Sequence, residues 1–233
     1  MTHPGDFPET RWTLILQSRA GERARREALE TMLGIYWKPI YHFFRRKGLD
    51  QDVAQDAVQD LFAHLLGQDF LARLDPSRGR FRAYLRTAAD HLLINQHEKA
   101  SAQKRGGGAA PLSLDFDVAE RELAASTVSP EAAFDRDWAL GVMDRALTRL
   151  KAEFADGSRR GPVDIALEFF AGLEPPSYAD AAARARMSAV TFKAFLHRTR
   201  VRFRELVRAE VAHTVDGADA DREVADLMAA LRS

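Results

Sequence analysis

Acidic and amide side chains recur at helical spacing in one segment of this chain of 233 residues. They form a set, called here the acidic-amide face, that consists of Asp52, Gln55, Asp56, Gln59 and Asp60. Because residues three and four apart share one side of a helix, the set lies on one face. Its oxygen atoms could ligate magnesium, but a magnesium site needs ligands from a second element. The chain has no second acid-rich motif, so the pattern favours a solvated face or a face that docks on a partner.

Arginines and aromatic residues are interspersed in a second segment, called here the basic-aromatic stretch. It consists of Arg78, Arg80, Phe81, Arg82, Tyr84 and Arg86. Arginines four residues apart stack on one side of a helix and could follow a phosphate backbone, while aromatic rings can hold unstacked bases of a single strand. The alternative is that the rings are core residues surrounded by arginine stems. For Phe81 we favour the core interpretation.

A helix-turn-helix pattern lies farther along the chain. Ser177 and Asp180 form a capping box, in which the hydroxyl and the carboxylate satisfy N–H groups at a helix start. The pattern predicts a short helix over residues 178–185, a turn at Arg186 and a new N-cap at Ser188. The longer second helix is basic on most sides and carries on one face the apolar residues Phe192, Leu196, Phe203 and Leu206. A short helix packed across a longer basic helix is the geometry that enters the major groove of DNA.

Enzymatic and metal-binding motifs are not found in the sequence. His91 and His97 are six residues apart, which fits no paired metal site on a helix, and the chain has no cysteine. No nucleophile, histidine and acid arrangement and no glycine-rich phosphate cradle can be recognised. We therefore predict no catalytic residue, no metal and no cofactor.

Hydrophobic periodicity predicts an all-α fold, because no segment alternates at period two for long enough to form a strand. Helices are predicted over residues 9–19, 23–35, 37–47, 50–66, 81–100, 129–153 and 162–172, followed by the helix-turn-helix. Pro39 is expected to lie near the start of its helix, where a missing N–H is harmless. In the helix over 50–66 the predicted inward-facing residues are Val53, Ala57, Leu61 and Leu65.

The charge distribution divides the chain into domains. Lys plus Arg and Asp plus Glu both total 34, so the net charge is zero. Residues 1–105 nevertheless carry 17 basic and 13 acidic side chains, and residues 178–211 carry 8 and 3. We predict a first domain over 1–105, an extended acidic linker over 106–128, a second domain over 129–211 and an acidic C-terminal segment over 212–233. Two basic blocks joined by an acidic connector indicate two surfaces for nucleic acid.

The composition and the first residues of the chain predict where the protein works. A hydrophobic content of 46% excludes wholesale disorder. No apolar run has the length of a membrane span, and the first residues lack the charged and apolar regions of a signal peptide. The expectation is a cytoplasmic protein that does not bind membranes.

Several short motifs follow one another along nearly the whole chain. In the first domain they are YWKPIY at 36–41, RRKG at 45–48, AQDAVQDLF at 54–62, GRFRAYL at 79–85 and AQKRGG at 102–107. In the second domain they are YADAA at 178–182 and HRTR at 197–200. Each motif is short, and the specificity comes from their order and spacing. Taken together they resemble the extracytoplasmic-function class of bacterial sigma factors, nearly end to end. The resemblance implies two helical domains, the second with a helix-turn-helix, and a short C-terminal helical extension over 212–233.

The resemblance also implies the partners of the first domain and of the linker. The acidic-amide face would dock on the clamp helices of the largest subunit of core RNA polymerase. The implied contacts with melted, single-stranded promoter DNA are Arg78, Arg80, Arg82, Tyr84, Arg86, His91, Asn95 and Lys99. Recognition there would resemble base flipping, in which an extruded base is read in a protein pocket. The acidic linker would thread toward the RNA path of the polymerase.

For the second domain the resemblance implies readout of duplex promoter DNA. The implied contacts are Arg184, Ser188, Ala189, Val190, Thr191, Lys193, His197, Arg198 and Arg200. Of these, Ala189, Val190 and Lys193 would face base edges, whereas the arginines would hold phosphates. The sequence departs from the family pattern where Arg186 replaces the usual glycine of the turn, and where small alanines occupy core positions of the short helix.

The sequence thus predicts a promoter-specificity subunit that binds core RNA polymerase and promoter DNA and has no catalysis of its own. The resemblance leaves room for an inhibitory partner protein. One alternative is a regulator that kept the DNA-binding fold but does not recruit polymerase. Another is a helical, acid-rich enzyme, which would show metal-dependent turnover and no affinity for the polymerase.

Overall fold

The computed structural model describes residues 22–66, 81–99, 114–123, 128–155, 160–170, 175–212 and 220–232. All regular structure in these ranges is helical, which confirms the predicted fold class. The helices are α1 Glu22–Arg46, α2 Gln51–Leu66, α3 Phe81–Lys99, α4 Phe116–Glu122, α5 Pro130–Glu153, α6 Arg160–Glu168, α7 Tyr178–Arg184, α8 Ala189–Ala212 and α9 Ala220–Ala230. The helix predicted over 9–19 lies outside the described residues.

The chain forms two compact units. The first consists of Met1–Gly141 and Val211–Ser233, and the second of Val142–Glu210. These bounds differ from the predicted domain ranges, since the division falls inside α5 and α8 instead of at the start of α5. The cause is that the first turns of α5 bury Phe134 and Trp138 in the first unit, where Phe134 meets the Phe43 ring edge-on at 6.1 Å.

The first unit is a helical bundle centred on α1, which packs against α2, α3 and α4. The core of α1 is aromatic: Tyr36, Tyr41, Phe43 and Phe44 are fully buried. Tyr36 meets Phe81 of α3 edge-on with ring centroids 5.5 Å apart. Burial of rings of this size contributes most of the hydrophobic stabilisation that such a bundle can have.

Helix α1 is one continuous helix where the sequence predicted two. Pro39 lies inside it and is buried. Proline removes one hydrogen bond from a helix interior and costs about 3 kcal/mol. The buried rings on both sides of Pro39 offset this cost, because ending the helix there would take Ile40 and Tyr41 out of the core.

Helix α2 begins within one residue of its predicted start and ends where predicted, but its inward face is rotated at the beginning. Ala57, Leu61 and Leu65 are buried as predicted, whereas Val53 is 47% exposed. Ala54 and Val58 are buried instead. A spacing of four residues exceeds the helical repeat of 3.6, so a stripe with that spacing drifts around the helix and its far end turns to solvent.

The prediction of an extended linker is wrong for residues 116–122, which form helix α4 and pack on α1. Ala119 is fully buried, and the Phe116 ring meets those of Trp37 and Tyr41 with centroids 5.6 and 5.3 Å away. The acid Glu120 receives hydrogen bonds from Arg45 at 2.9 and 2.7 Å, and one from the Tyr41 hydroxyl. The acidic composition of this segment indicated a solvated linker. Composition does not show that the basic and aromatic partners of the segment lie on α1.

A buried histidine connects three helices of the first unit. The Nδ1 atom of His42 in α1 lies 2.8 Å from the carboxylate of Asp137 in α5. Its Nε2 atom lies 2.8 Å from the carbonyl oxygen of Ala119 in α4. Arg46 donates to the same Asp137 carboxylate at 2.8 Å. Burial alone would raise the pKa of Asp137, but the hydrogen bonds from His42 and Arg46 outweigh it and lower that pKa. The network therefore holds a charged carboxylate inside the unit.

The second unit packs α6, α7 and the remainder of α5 around α8. Its core contains Phe169, the α7 alanines Ala181 and Ala182, and the α8 residues Phe192 and Phe195. The four α8 residues predicted to face inward are all buried: Phe192, Leu196, Phe203 and Leu206. Small residues on α7 thus meet large rings on its neighbours, which fills the space that longer α7 side chains would otherwise occupy.

Candidate polymerase and nucleic-acid interfaces

The acidic-amide face lies on the outer side of α2. Asp52, Asp56, Gln59 and Asp60 are exposed, and Gln55 is half-buried. Within the described part of the chain, the three carboxylates form no ion pair. The buried residues of the opposite side hold α2 on the bundle. The arrangement leaves a rigid anionic surface with exposed Val53 beside it, which suits docking on a basic protein surface.

The helix-turn-helix begins with the predicted cap. Ser177 accepts a hydrogen bond from the backbone N–H of Asp180 at 3.1 Å, and its hydroxyl donates to the Asp180 carboxylate at 2.7 Å. Ser188 caps α8 in the same way, accepting from the N–H of Thr191 at 3.1 Å. Between the caps, Arg186 has φ of 54°, the left-handed region that glycine usually fills. The chain therefore makes the turn in spite of a strained residue.

The first turn of α8 presents its outer side to solvent. Val190 is 79% exposed, and Ala189, Thr191 and Lys193 are also exposed. Phe192 and Phe195 point the other way, into the core of the second unit. The residues predicted to meet base edges are therefore accessible, while the buried rings on the opposite side of α8 hold the helix on its unit.

Lys193 is held by an aromatic residue that the sequence analysis did not assign to the site. Its ammonium lies 5.0 Å from the centroid of the Tyr178 ring, and that ring stacks on Phe169 at 5.3 Å. A cation over an aromatic face is attracted by the ring quadrupole. The only signal in the sequence was that Tyr178 directly follows the cap residue, and this does not predict contact with a residue on the next helix.

The three arginines predicted to hold phosphates differ in their surroundings. Arg198 is exposed and has no ion-pair partner among the described residues. Arg184 is exposed but donates two hydrogen bonds to the Glu168 carboxylate, at 2.8 and 2.5 Å. These hydrogen bonds lower the pKa of the Glu168 carboxyl. Arg200 is half-buried and donates to the carbonyl oxygen of Phe169 at 3.2 Å. Of the three, Arg198 is the one whose guanidinium has no hydrogen-bond or ion-pair partner in the part of the chain that the structure describes. His197 beside it is exposed too.

The basic-aromatic stretch is only partly on the surface. Phe81 is fully buried, as the core interpretation predicts. Tyr84 is 42% exposed and His91 is exposed. Arg78 and Arg80 lie outside the described residues. Asn95 and Lys99 belong to the described length of α3, but their side chains lie outside the description.

Arg82 departs most from its expected position on an accessible surface. It is 8% exposed, and its guanidinium carbon lies 4.3 Å from the centroid of the Trp138 ring. Nη1 donates to Asp135 at 2.7 Å and Nε donates to Glu223 of α9 at 3.0 Å. Arg86, one turn on, also reaches Asp135 at 3.5 Å. The two arginines share one side of α3, as their spacing predicts, but that side faces acidic residues of the protein itself.

Nothing in the described residues forms a metal centre or a membrane span. No group of three or more His, Asp or Glu side chains in these ranges is placed to hold a metal ion. None of the described helices is long and apolar enough to cross a bilayer.

Comparison with known protein families gives a match. Residues 13–209 match the family model for ECF sigma factors. This span includes the acidic-amide face and the helix-turn-helix but ends before α9. Neither the curated proteins nor the solved structures contain a match to the chain.

Proposed function

The chain belongs to the ECF sigma factor family, and from this premise we propose that it binds core RNA polymerase and directs it to promoters by reading duplex DNA and stabilising melted DNA. It would do so by binding alone. The observation that supports this most directly is the joint exposure of two surfaces. The acidic-amide face of α2 and the first turn of α8 are both accessible, while the residues behind each are buried.

Polymerase docking is assigned in this proposal to the acidic-amide face. Its carboxylates are unpaired within the described residues and stand on a helix whose other side is fixed in a core. A docking surface of this kind needs no rearrangement before it meets a basic partner, which favours fast association. The partner would be the clamp of the largest polymerase subunit.

Duplex recognition is assigned to the start of α8. Ala189 and Val190 offer methyl groups to the thymine methyl, and Lys193 offers a donor to base acceptors. Arg198 offers a phosphate contact that fixes the register of the helix. Since two of the three base-facing residues make no hydrogen bond, most of the sequence discrimination at this site would come from shape and from methyl contacts.

The test is promoter-dependent transcription in vitro with purified core polymerase and templates from the source genome. The native chain should produce defined start sites that core polymerase alone does not. A double variant, Asp56→Ala with Gln59→Ala, should lose polymerase binding and transcription but retain duplex binding. Asp144→Ala, which removes an exposed acid of α5 in the second unit, is the charge-matched control and should remain active.

Two results would contradict the proposal. Absence of any defined start on genomic templates would remove the initiation role. Full activity of the Asp56→Ala, Gln59→Ala variant in gene control would instead favour the regulator that acts without recruiting polymerase.

A further inference from the structure

We propose that the C-terminal helix α9 is an intramolecular competitor of single-stranded DNA: it docks on the first unit and occupies Arg82, which becomes available to a phosphate when the helix leaves. The inference rests on the proposed stabilisation of melted DNA, because it concerns Arg82, one of the residues that the family resemblance implies for that contact. It adds a regulatory segment, α9, and its point of action.

Helix α9 docks through one face. Ala220, Glu223 and Leu227 are at most 2% exposed, and their spacing of three and four residues places them on the same side. Asp221, Arg222, Ala225 and Met228 are exposed. The helix therefore has an apolar docking face with one carboxylate in its middle. A wholly buried carboxylate is costly unless a cation meets it, so the surface beneath α9 is specified by charge as well as by shape.

Arg82 is a cation that meets this carboxylate. Its Nε donates to Glu223 at 3.0 Å. A phosphate oxygen would take the same donor in the same charge-assisted hydrogen bond. One N–H cannot serve both acceptors at full strength, so DNA and Glu223 compete for Arg82.

Departure of α9 would not leave Arg82 without support. Asp135 would still accept from Nη1 at 2.7 Å, and the Trp138 ring would still lie under the guanidinium at 4.3 Å. These two contacts with α5 keep the guanidinium of Arg82 oriented. Arg86, whose side chain is 35% exposed, lies one turn away on the same side of α3. Release of α9 would therefore present two adjacent arginines, of which Arg82 is already oriented by Asp135 and Trp138.

The first experiment opens the contact by substitution in the full-length chain. Leu227→Asp places a charge in the buried face, whereas Met228→Asp places the same charge at the neighbouring exposed position. Binding of a labelled, mixed-sequence single-stranded oligodeoxynucleotide should become about tenfold tighter for Leu227→Asp, the gain expected if the released form is about a tenth of the native population. Met228→Asp should bind as the native chain does. Glu223→Gln, which keeps the side-chain volume, should shift affinity in the same direction as Leu227→Asp.

A second substitution separates competition from general loosening of the first unit. Adding Arg82→Gln to Leu227→Asp should cancel the gain in affinity. If the gain persists without Arg82, or if Met228→Asp produces it too, the competition is overturned.

The native chain provides a measurement that needs no variant. Saturating single-stranded DNA should speed deuterium uptake by the backbone of residues 220–230, because the displaced helix loses its partner. Unchanged uptake at saturation would overturn the inference. Both measurements use only the free chain and DNA, so they can fail while polymerase-dependent initiation succeeds, and they can succeed where initiation fails.

Discussion

One backbone angle at the turn between α7 and α8 is unfavourable for the residue that adopts it. Arg186 has φ of 54°, and for a residue with a Cβ the left-handed region costs about 1–2 kcal/mol. The family resemblance indicated the position, because family members usually have glycine there. The structure adds that the turn is formed nevertheless. The N–H groups of Arg186 and Met187 donate to the carbonyl oxygens of Ala183 and Ala182 at 3.0 and 2.9 Å, and Ser188 caps the helix that follows.

Arg186→Gly should therefore stabilise the second unit. Glycine removes the conformational strain but has more freedom in the unfolded chain, so the net gain should be at most about 1 kcal/mol. Urea unfolding monitored by circular dichroism would measure it. Arg186→Ala is the matched control, since it removes the same side chain but keeps the strain. Equal stability of the two variants would show that the backbone angle is not the cause.

Arg198 is the phosphate contact that the structure leaves available. Arg198→Ala should weaken duplex binding for all sequences and lower the slope of log K against log salt concentration by about 1, since one fewer counterion is released. Arg204→Ala is the control: Arg204 is also exposed, but it lies on another side of α8 and is not among the predicted contacts. Identical slopes for the native chain and Arg198→Ala would remove Arg198 from the interface.

At the scale of elements, α4 shows how an acidic segment can be structural. Its docking depends on Glu120, whose pKa is lowered by the hydrogen bonds from Arg45 and from Tyr41. Burial and the adjacent Glu120 raise the pKa of Tyr41, so its hydroxyl stays a donor. The predicted extended linker therefore contains an element that belongs to the first unit.

This pairing predicts an acid-sensitive contribution to stability. A carboxyl with a lowered folded-state pKa stabilises fully above its ordinary value of 4.5, and the stabilisation is lost as the pH falls from 4.5 through the folded value. Glu120→Gln should therefore be less stable than the native chain near neutral pH, and the difference should vanish in acid. Thermal unfolding over this pH range measures it. Arg45→Gln should have the same effect, and the double variant should add little; additive losses would contradict the pairing.

At the scale of the whole molecule, the neutral net charge conceals local polarity. Much of the basic charge is matched within its own unit: Arg202 pairs with Glu153 at 2.6 Å, and Arg145 and Arg149 pair with Glu210 at 3.1 and 2.7 Å. The carboxylates of α2 and the guanidinium of Arg198, which have no ion-pair partner among the described residues, are therefore more informative than the segment totals. Pairing inside a unit stabilises it, while unpaired charge is available to a partner.

The division into two units predicts separable stability. Phe192 is fully buried in the second unit, and truncating such a ring costs about 3–5 kcal/mol. Phe192→Ala should therefore speed hydrogen exchange in α6, α7 and the central part of α8, while α1 and α2 remain protected. Simultaneous loss of protection in α1 and α2 would show that the two units unfold as one.

What the sequence by itself determined was local. Spacing along one helix was enough to predict the helical periodicity, the Ser177 and Ser188 caps, the buried face of α8 and the acidic-amide face of α2. Such a spacing is the same before and after folding. The left-handed turn at Arg186 was predictable through the family resemblance, because family members usually have glycine at that position.

Only the tertiary structure decided which surface each charge meets. Arg82 and Arg198 look alike in the sequence, yet one lies between Asp135 and Glu223 and the other faces solvent. The two acidic partners of Arg82 are 53 and 141 residues away from it along the chain. Electrostatic pairing depends on distance in space, and no pattern within one helix contains that distance.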